Sequence, residues 1–488
     1  MQPITVVWIA LPLFLGFAIY LFPPLSRILA AIIALASAAY GLFHILSPTA
    51  TTFTFVDSFG VTLSVDALSG YFVLTNALVT MAVVFYSWTS SKTAFFFAQV
   101  AFLHGSMNAV FICADFMSLY VALEVIGIAA FLLIAYPRGD RSIWIGLRYL
   151  FISNTAMLFY LLGAVQVYRA NQSFAFAGLE NAPAEAIALV FLGLLSKGGL
   201  FISGLWLPQT HANAETSVSA LLSGVVVKTG VFPLVRCALL LEEITPMVKL
   251  FSVGTAVLGT SCAIFEKDTK RMLAWSSLSQ MGFILVAPTV AGLYALGHGL
   301  AKAALFLTAG NLPSRQFSVL HHQPMARSLW IVTTVAGLSI CGFPLLVGFG
   351  AKSLTLKSLD GWAEIAINIA AVGTAIAFAK FICLPFSKGS AAKVSTGFWA
   401  AAALLLATLV AAGAFSWESY TAANMLKAFA TVAGGGVLYS LFVPRLTTER
   451  VASRMELGLT LPASLERLDH IIGAMVLMLL FLFWWIVP

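Results

Sequence analysis

Long apolar runs separated by short polar stretches make up most of the chain. Runs of about 17–25 residues are long enough to cross a hydrocarbon core as helices. They fall at 4–22, 26–47, 67–88, 94–113, 116–136, 143–167, 184–206, 217–241, 247–265, 272–290, 291–311, 328–350, 361–386, 397–415, 424–443 and 470–487. The pattern predicts about 14–16 transmembrane helices, with the joint near Pro288 and the short fifteenth run setting the range. The longest connections are 48–66, 168–183, 312–327 and 444–469, the last amphipathic and basic. In the first, Thr52-Phe-Thr-Phe-Val-Asp and Gly60-Val-Thr-Leu-Ser-Val alternate around Ser58-Phe59-Gly60, which predicts a small surface hairpin. Met1 to Phe22 lacks a basic leading region and reads as a first transmembrane helix, not a cleaved signal.

Composition fixes the class. Of 488 residues, 60% are apolar and 9% charged, against about 25% charged in soluble domains; the mean hydropathy is +0.98. A soluble globule, a disordered chain, a collagen-like chain and a disulfide scaffold are all excluded. The fold class is all-α, a polytopic membrane protein. The five cysteines, Cys113, Cys237, Cys262, Cys341 and Cys383, are far apart. They show neither zinc nor iron–sulfur spacing and read as small apolar core residues. No phosphate-binding G-x-x-x-x-G-K-[ST] segment is present, so ATP is not expected to drive this chain. No cofactor and no metal is expected, and the net charge of +7 reflects membrane topology, not nucleic acid.

The basic residues sort by loop. Odd-numbered connections hold Arg27, Lys92, Arg138, Arg141, Lys267, Lys270, Arg271, Arg315, Arg327, Lys388, Lys393, Arg445, Arg450, Arg454 and Arg467, and Arg148 opens a helix on the same side. Even-numbered connections hold Arg169, Lys249, Lys357 and Lys427. Positively charged loops stay in the cytoplasm, so both termini are expected on the non-cytoplasmic side. The expected location is a bacterial inner or plasma membrane, or a thylakoid.

Lys197, Lys228, Arg236, Lys302, Lys352 and Lys380 remain, within or at the ends of apolar runs; Glu124 is the acid deep in one. A charge at the bilayer centre costs at least about 2.5–3.5 kcal/mol on insertion scales. One carboxylate cannot neutralise five ammonium groups, and burial disfavours the charged amine. A set of amines shared between charged and neutral forms is a proton relay. The bland alternative is snorkelling to the interface. It suits Lys380 and Arg236, near helix ends, better than Lys197 and Lys228, which have apolar residues on both sides.

Gly and Pro accompany two of these lysines, in Leu194-Leu-Ser-Lys-Gly-Gly-Leu followed by Pro208, and in Phe343-Pro-Leu-Leu-Val-Gly-Phe-Gly-Ala-Lys. Broken helices at membrane depth line polar cavities. Breaks in helices 7 and 12, five apart, point to two inverted five-helix repeats. The expected organisation is 1–93 for helices 1–3 with the hairpin, 94–241 and 247–386 for the repeats, and 397–488 for the C-terminal helices with the connection 444–469. His298 and Lys302, four apart, share one helix face, where an imidazole can bridge protonation. Trp275-Ser-Ser-Leu-Ser-Gln adds hydroxyls and an amide, and His104 is a similar buried candidate. His321 and His322 sit in a loop without a second ligand pair.

These segments resemble the antiporter-like membrane subunits of respiratory complex I and of Mrp-type multisubunit Na+/H+ antiporters. The resemblance is carried by Leu123-Glu-Val, by Leu207-Pro-Gln-Thr-His-Ala-Asn-Ala-Glu-Thr-Ser-Val-Ser-Ala-Leu-Leu and the Val-Lys228-Thr-Gly run, by Asp268-Thr-Lys-Arg-Met-Leu-Ala-Trp-Ser-Ser-Leu-Ser-Gln-Met-Gly, and by His298-Gly-Leu-Ala-Lys-Ala-Ala-Leu-Phe-Leu-Thr-Ala-Gly. It covers 115–355 well and the ends weakly. It implies an ion pair of Glu124 with Lys197, a central relay of Lys228, His298 and Lys302, and an outlet at Lys352, with Lys380 a further candidate. Leu123 stands where the family often has tryptophan. Ile152-Ser-Asn-Thr replaces an Arg/Asp pair that some members carry, and the long lateral helix of the most distal complex I subunit is missing.

The reading is a proton-conducting subunit of a multisubunit membrane complex, with other membrane subunits, protons and the bilayer as partners. The alternatives are an Mrp-type Na+/H+ antiporter subunit, an energy-coupling subunit of an inorganic-carbon uptake complex, and a non-transporting assembly scaffold. No catalytic chemistry is visible in the chain, so any NADH or quinone chemistry belongs to partners.

Overall fold

The computed structural model describes residues 2–47, 49–56, 60–387, 394–446 and 463–486. Among them thirteen helices are long and apolar enough to cross a membrane. The protein is an integral, multi-pass membrane protein. Three further predicted spans are also helical. The tenth is the 17-residue helix Thr269–Leu285. The twelfth is split into Arg327–Cys341 and Val347–Lys357. The fifteenth is Ala422–Leu446. Near Pro288 one helix ends at Leu285, a single 3-10 turn covers Pro288–Val290, and the next helix starts at Ala291. Proline's missing N–H makes that boundary. The amphipathic connection expected over 444–469 lies largely outside the described residues.

The predicted hairpin is present. Thr51–Val56 pairs antiparallel with Gly60–Val65, with Phe53 opposite Leu63. Its second strand continues onto the loop before Phe116–Ile134: Leu63 bridges Cys113, and Ala114 N donates to Thr62 O at 2.8 Å. Asp115 ties the two together. One carboxylate oxygen accepts from Ser118 N at 2.7 Å, capping the helix, and the other accepts from Thr62 N at 2.8 Å. The same segment bridges Ala175.

Span order does not reveal burial, because every run is apolar all round. Polar side chains do, since they avoid lipid. Thr216–Leu240 is wholly inside the bundle and Pro288–Ala309 nearly so, while Gln2–Leu21 and Leu468–Ile486 are mostly on the outside. The two innermost spans carry Lys228, His298 and Lys302.

The ion pairs respect the alternation of sides. Lys92–Glu215, Arg271–Glu266, Arg271–Glu466 and Arg315–Asp268 join odd connections. Arg236–Asp66 and Lys249–Asp360 join even ones. A sixteen-span count with the twelfth crossing once fits this parity. The cysteines divide: Cys113, Cys237 and Cys341 are buried, but Cys262 is half-buried and Cys383 exposed, so the core reading holds for three of the five.

Candidate functional site

Three helices are interrupted inside the bundle. The helix Ala184–Lys197 stops where Gly199 takes φ +63°, and a 3-10 turn, Phe201–Leu205, leads into the helix Trp206–Asn213. The helix Arg327–Cys341 stops where Gly342 takes φ +84°. Both glycines occupy the left-handed region that side chains resist. The lysine precedes the break in one case and follows it in the other. A third interruption was not visible in the sequence. The helix Thr216–Leu221 passes into a π-helical turn, Leu222–Val226, before Lys228–Leu240 begins. Such turns release backbone carbonyls from the regular ladder.

Lys197 is buried, and its Nζ donates to Ser153 Oγ at 2.5 Å and Leu123 O at 3.1 Å. Ser153 lies in the stretch where the Arg/Asp pair is missing. Glu124, half-buried, makes no ion pair among the described residues, though its charge acts on Lys197 across the gap. Lys228 is fully buried at the end of the π turn, and its Nζ donates to Ser223 O and Gly224 O. The helices of Lys197 and Lys228 touch where Gly198 meets Gly230.

Lys228 Nζ also packs against Gly299, where an added methyl group would stand 3.5 Å away. That places it beside His298. His298 is buried with neither ring nitrogen hydrogen-bonded, and the charges of Lys228 and Lys302 both act on it. Lys302 Nζ donates to Leu273 O at 2.9 Å and to Ser276 Oγ, and stands over the Phe378 ring. The Trp275-Ser-Ser-Leu-Ser-Gln run thus faces the amines. Ser277 Oγ meets Ser223 Oγ at 2.6 Å, and Gln280 accepts from Tyr294 at 2.7 Å. Beyond Cys341, which feels both amines, Lys352 Nζ has no hydrogen-bond partner and lies over the Phe283 ring.

The remaining candidates separate from this row. Lys380 is buried near the end of its helix. Its Nζ donates to Glu266 O at 2.8 Å and Ala263 O at 3.2 Å, holding the end of the helix Thr245–Phe265. Arg236 forks onto both oxygens of Asp66, at 2.5 and 2.7 Å. His104 belongs to a separate network, with Thr80 Oγ1 at 3.0 Å and Ser37 Oγ at 2.8 Å on its two nitrogens.

One residue of the row carries no mark in the sequence. His211, on the half-helix after the seventh break, is fully buried between Trp206 and Phe306, and the charges of Lys302 and Lys228 act on it. It sits in a polar stretch between apolar runs, so its depth could not be read; the break at Gly198 and Gly199 was the available signal.

The chemistry of the row is uniform. Among the described residues, carbonyls and hydroxyls accept from Lys197, Lys228 and Lys302, only Lys197 has a carboxylate nearby, no anion pairs with Lys228, Lys302 or Lys352, and two imidazoles stand among them. Such a row can hold a proton at any of several neighbouring nitrogens.

Comparison with known proteins meets the same segments. The model of the NADH:quinone oxidoreductase/Mrp antiporter transmembrane family matches residues 113–377, which include Glu124, Lys197, Lys228, Lys302 and Lys352 and the buried His211 and His298. The NADH-quinone oxidoreductase subunit N of Desulforudis audaxviator is 29% identical over 372 residues, 68% of this chain and 74% of that protein. A chain of the Mrp complex from Dietzia sp. has the same fold, with a TM-score of 0.77 at 21% identity over 97% of this chain and 59% of that one. A chain of respiratory complex I from Thermus thermophilus does too, with a TM-score of 0.72 at 22% identity over 88% and 99%. With more than half its length matched, across the interrupted helices and the amines they expose, the chain belongs to the NADH:quinone oxidoreductase/Mrp antiporter transmembrane family.

Proposed function

We propose that this protein conducts protons across the membrane as the antiporter-like subunit of a multisubunit complex. The observation that carries the reading is the buried row of Lys228, His298 and Lys302, in which carbonyls and hydroxyls are the only hydrogen-bond acceptors among the described residues. A lysine bound to a carboxylate is fixed as a cation, whereas an amine among neutral acceptors can release its proton to a neighbour.

In this mechanism a proton enters near Lys197, where Glu124 favours the charged amine and Ser153 and Leu123 receive its hydrogens. A change in the Glu124–Lys197 separation alters that preference and passes charge to Lys228. From there it moves by His298 to Lys302, and then to Lys352, the amine farthest along. Lys352 lies at the second broken helix, so its charge is exposed to whatever packs there. The two broken helices belong to units 94–241 and 247–386, which we read as repeats of opposite topology.

The partners are further membrane subunits of a complex I-like or Mrp-like assembly, in a bacterial membrane with both termini outside the cytoplasm. Protons are favoured over Na+ because sodium prefers oxygen ligands, and this row is mostly nitrogen. The test is proton uptake by the reconstituted chain carrying Lys228→Ala. The reading expects uptake to be lost, and unchanged uptake would overturn it.

A further inference from the structure

Three consecutive residues in the loop before Thr216–Leu221 are each held by a different basic side chain. Arg141 Nη2 donates to Asn213 Oδ1 at 2.7 Å. Lys270 Nζ, itself buried, donates to Ala214 O at 3.2 Å. Lys92 pairs with the Glu215 carboxylate. The three cations come from three separate elements: the connection before Ala94–Ile112, the start of Asp140–Asn171 and the start of Thr269–Leu285. Lys92 is fixed on its own side as well, lying over the rings of Tyr136 at 4.4 Å and Phe96 at 5.2 Å.

Ser219 Oγ lies within 3.1 Å of the carbonyls of His211, Ala214 and Glu215, and Ser219 N donates to Glu215 O at 2.7 Å. A hydroxyl has one hydrogen to give, and Lys270 supplies a further donor to Ala214 O.

What the loop anchors is the half-helix Trp206–Asn213. An eight-residue helix has little stability of its own. Its first end leans on the break, where Trp206 Nε1 donates to Ser196 O at 3.0 Å. Its second end is residues 213–215. Between them lies His211, whose ring stands between Trp206 and Phe306 and beside the backbone of Leu207 and Leu222.

We propose that Lys92, Arg141 and Lys270 are positioning residues that latch the loop 213–215, and that this latch sets where His211 stands relative to Lys228 and Lys302. The Arg141–Asn213 bond is exposed and the Lys92–Glu215 pair is partly open to solvent, while Lys270 is buried. The inference rests on the proton-conducting reading above and deepens it.

The experiment compares proton uptake by the reconstituted full chain carrying Glu215→Gln, Lys92→Ala, Lys92→Arg, or the reversed pair Lys92→Glu with Glu215→Lys. Moving a transfer partner by an ångström costs up to about a hundredfold, so Glu215→Gln and Lys92→Ala should each lower uptake by about tenfold or more. Lys92→Arg and the reversed pair should restore it to within about twofold, as expected of a direct pair. A role limited to folding would lower the amount of inserted protein and leave uptake per inserted chain unchanged. Full uptake in Glu215→Gln, or failure of the reversed pair at normal insertion, overturns the latch. Lys228→Ala, run in parallel, separates the two ideas. If it loses uptake while Glu215→Gln does not, the latch alone fails; if it keeps uptake, the transport reading fails.

Discussion

Lys197 gives its shortest hydrogen bond to Ser153, at 2.5 Å, and makes no contact ion pair with Glu124. The ammonium is therefore held between a hydroxyl and a carbonyl, with the carboxylate acting from a distance. A hydrogen bond to a charged group contributes about 1.5–3 kcal/mol, which is about tenfold or more in a rate. Ser153→Ala should lower proton uptake by about that factor, and Ser153→Thr should keep it. Equal uptake in the alanine variant would show that the hydroxyl has no part in setting the amine.

His298 is a case where stability and transport should part. A buried polar group without a partner costs about 1–3 kcal/mol. His298→Leu removes the unpaired nitrogens and keeps an apolar side chain in the same space. The variant should melt at the same temperature or higher in detergent and should lose proton uptake. A variant that melts lower and still transports would contradict both halves.

Lys380 is expected to behave in the opposite way. It terminates the helix Thr245–Phe265 by donating to two of its last carbonyls, and a cation at that end also favours the helix dipole. Lys380→Met should cost about 1–2 kcal/mol of stability and leave uptake per inserted chain unchanged. Thermal melting and dye-based uptake on the same preparation decide it.

Asp66, which caps the helix Ala67–Tyr86, gives a pH dependence outside the spans. Burial alone would raise its carboxyl. The Arg236 fork, the Arg236 charge and the Ser69 N–H and hydroxyl outweigh that and hold it below the usual carboxylate range. A carboxylate depressed in the folded state stabilises above its unfolded value of about 4, and the contribution disappears as pH falls through the lower folded value. Melting temperature should drop on acidification below about pH 4, and Asp66→Asn should flatten that limb while lowering the plateau. An unchanged acid limb in the asparagine variant would remove the pair from the account.

The spans, the hairpin and the burial of Lys197, Lys228, Lys302 and Lys352 were legible because each is a contrast along the chain: a run of membrane length, a period of two, or a charge where lipid forbids one. Arg236 and Lys380 show the same contrast and yet bind Asp66 and a helix end. Polarity marks a residue as exceptional without saying which partner satisfies it. The π turn before Lys228 leaves no such mark, since Leu222–Val226 reads as ordinary apolar helix. His211 escaped for the converse reason, being polar among polar neighbours and buried only because the preceding break turns the half-helix inward. Ser153 was noticed as a departure from a family pattern, but its bond to Lys197 depends on the crossing of two helices far apart in sequence.

The hairpin has a consequence for biogenesis. Its second strand finishes its hydrogen bonding on residues 113–115, which in turn bridge Ala175. A ribosome delivers the strands long before it delivers either partner. The first three spans are therefore made before the ribbon can dock, and docking waits for the fourth span and the segment 113–115 that follows it. That segment also bridges Ala175, so the ribbon's surroundings are complete only once the chain beyond the sixth helix has been made.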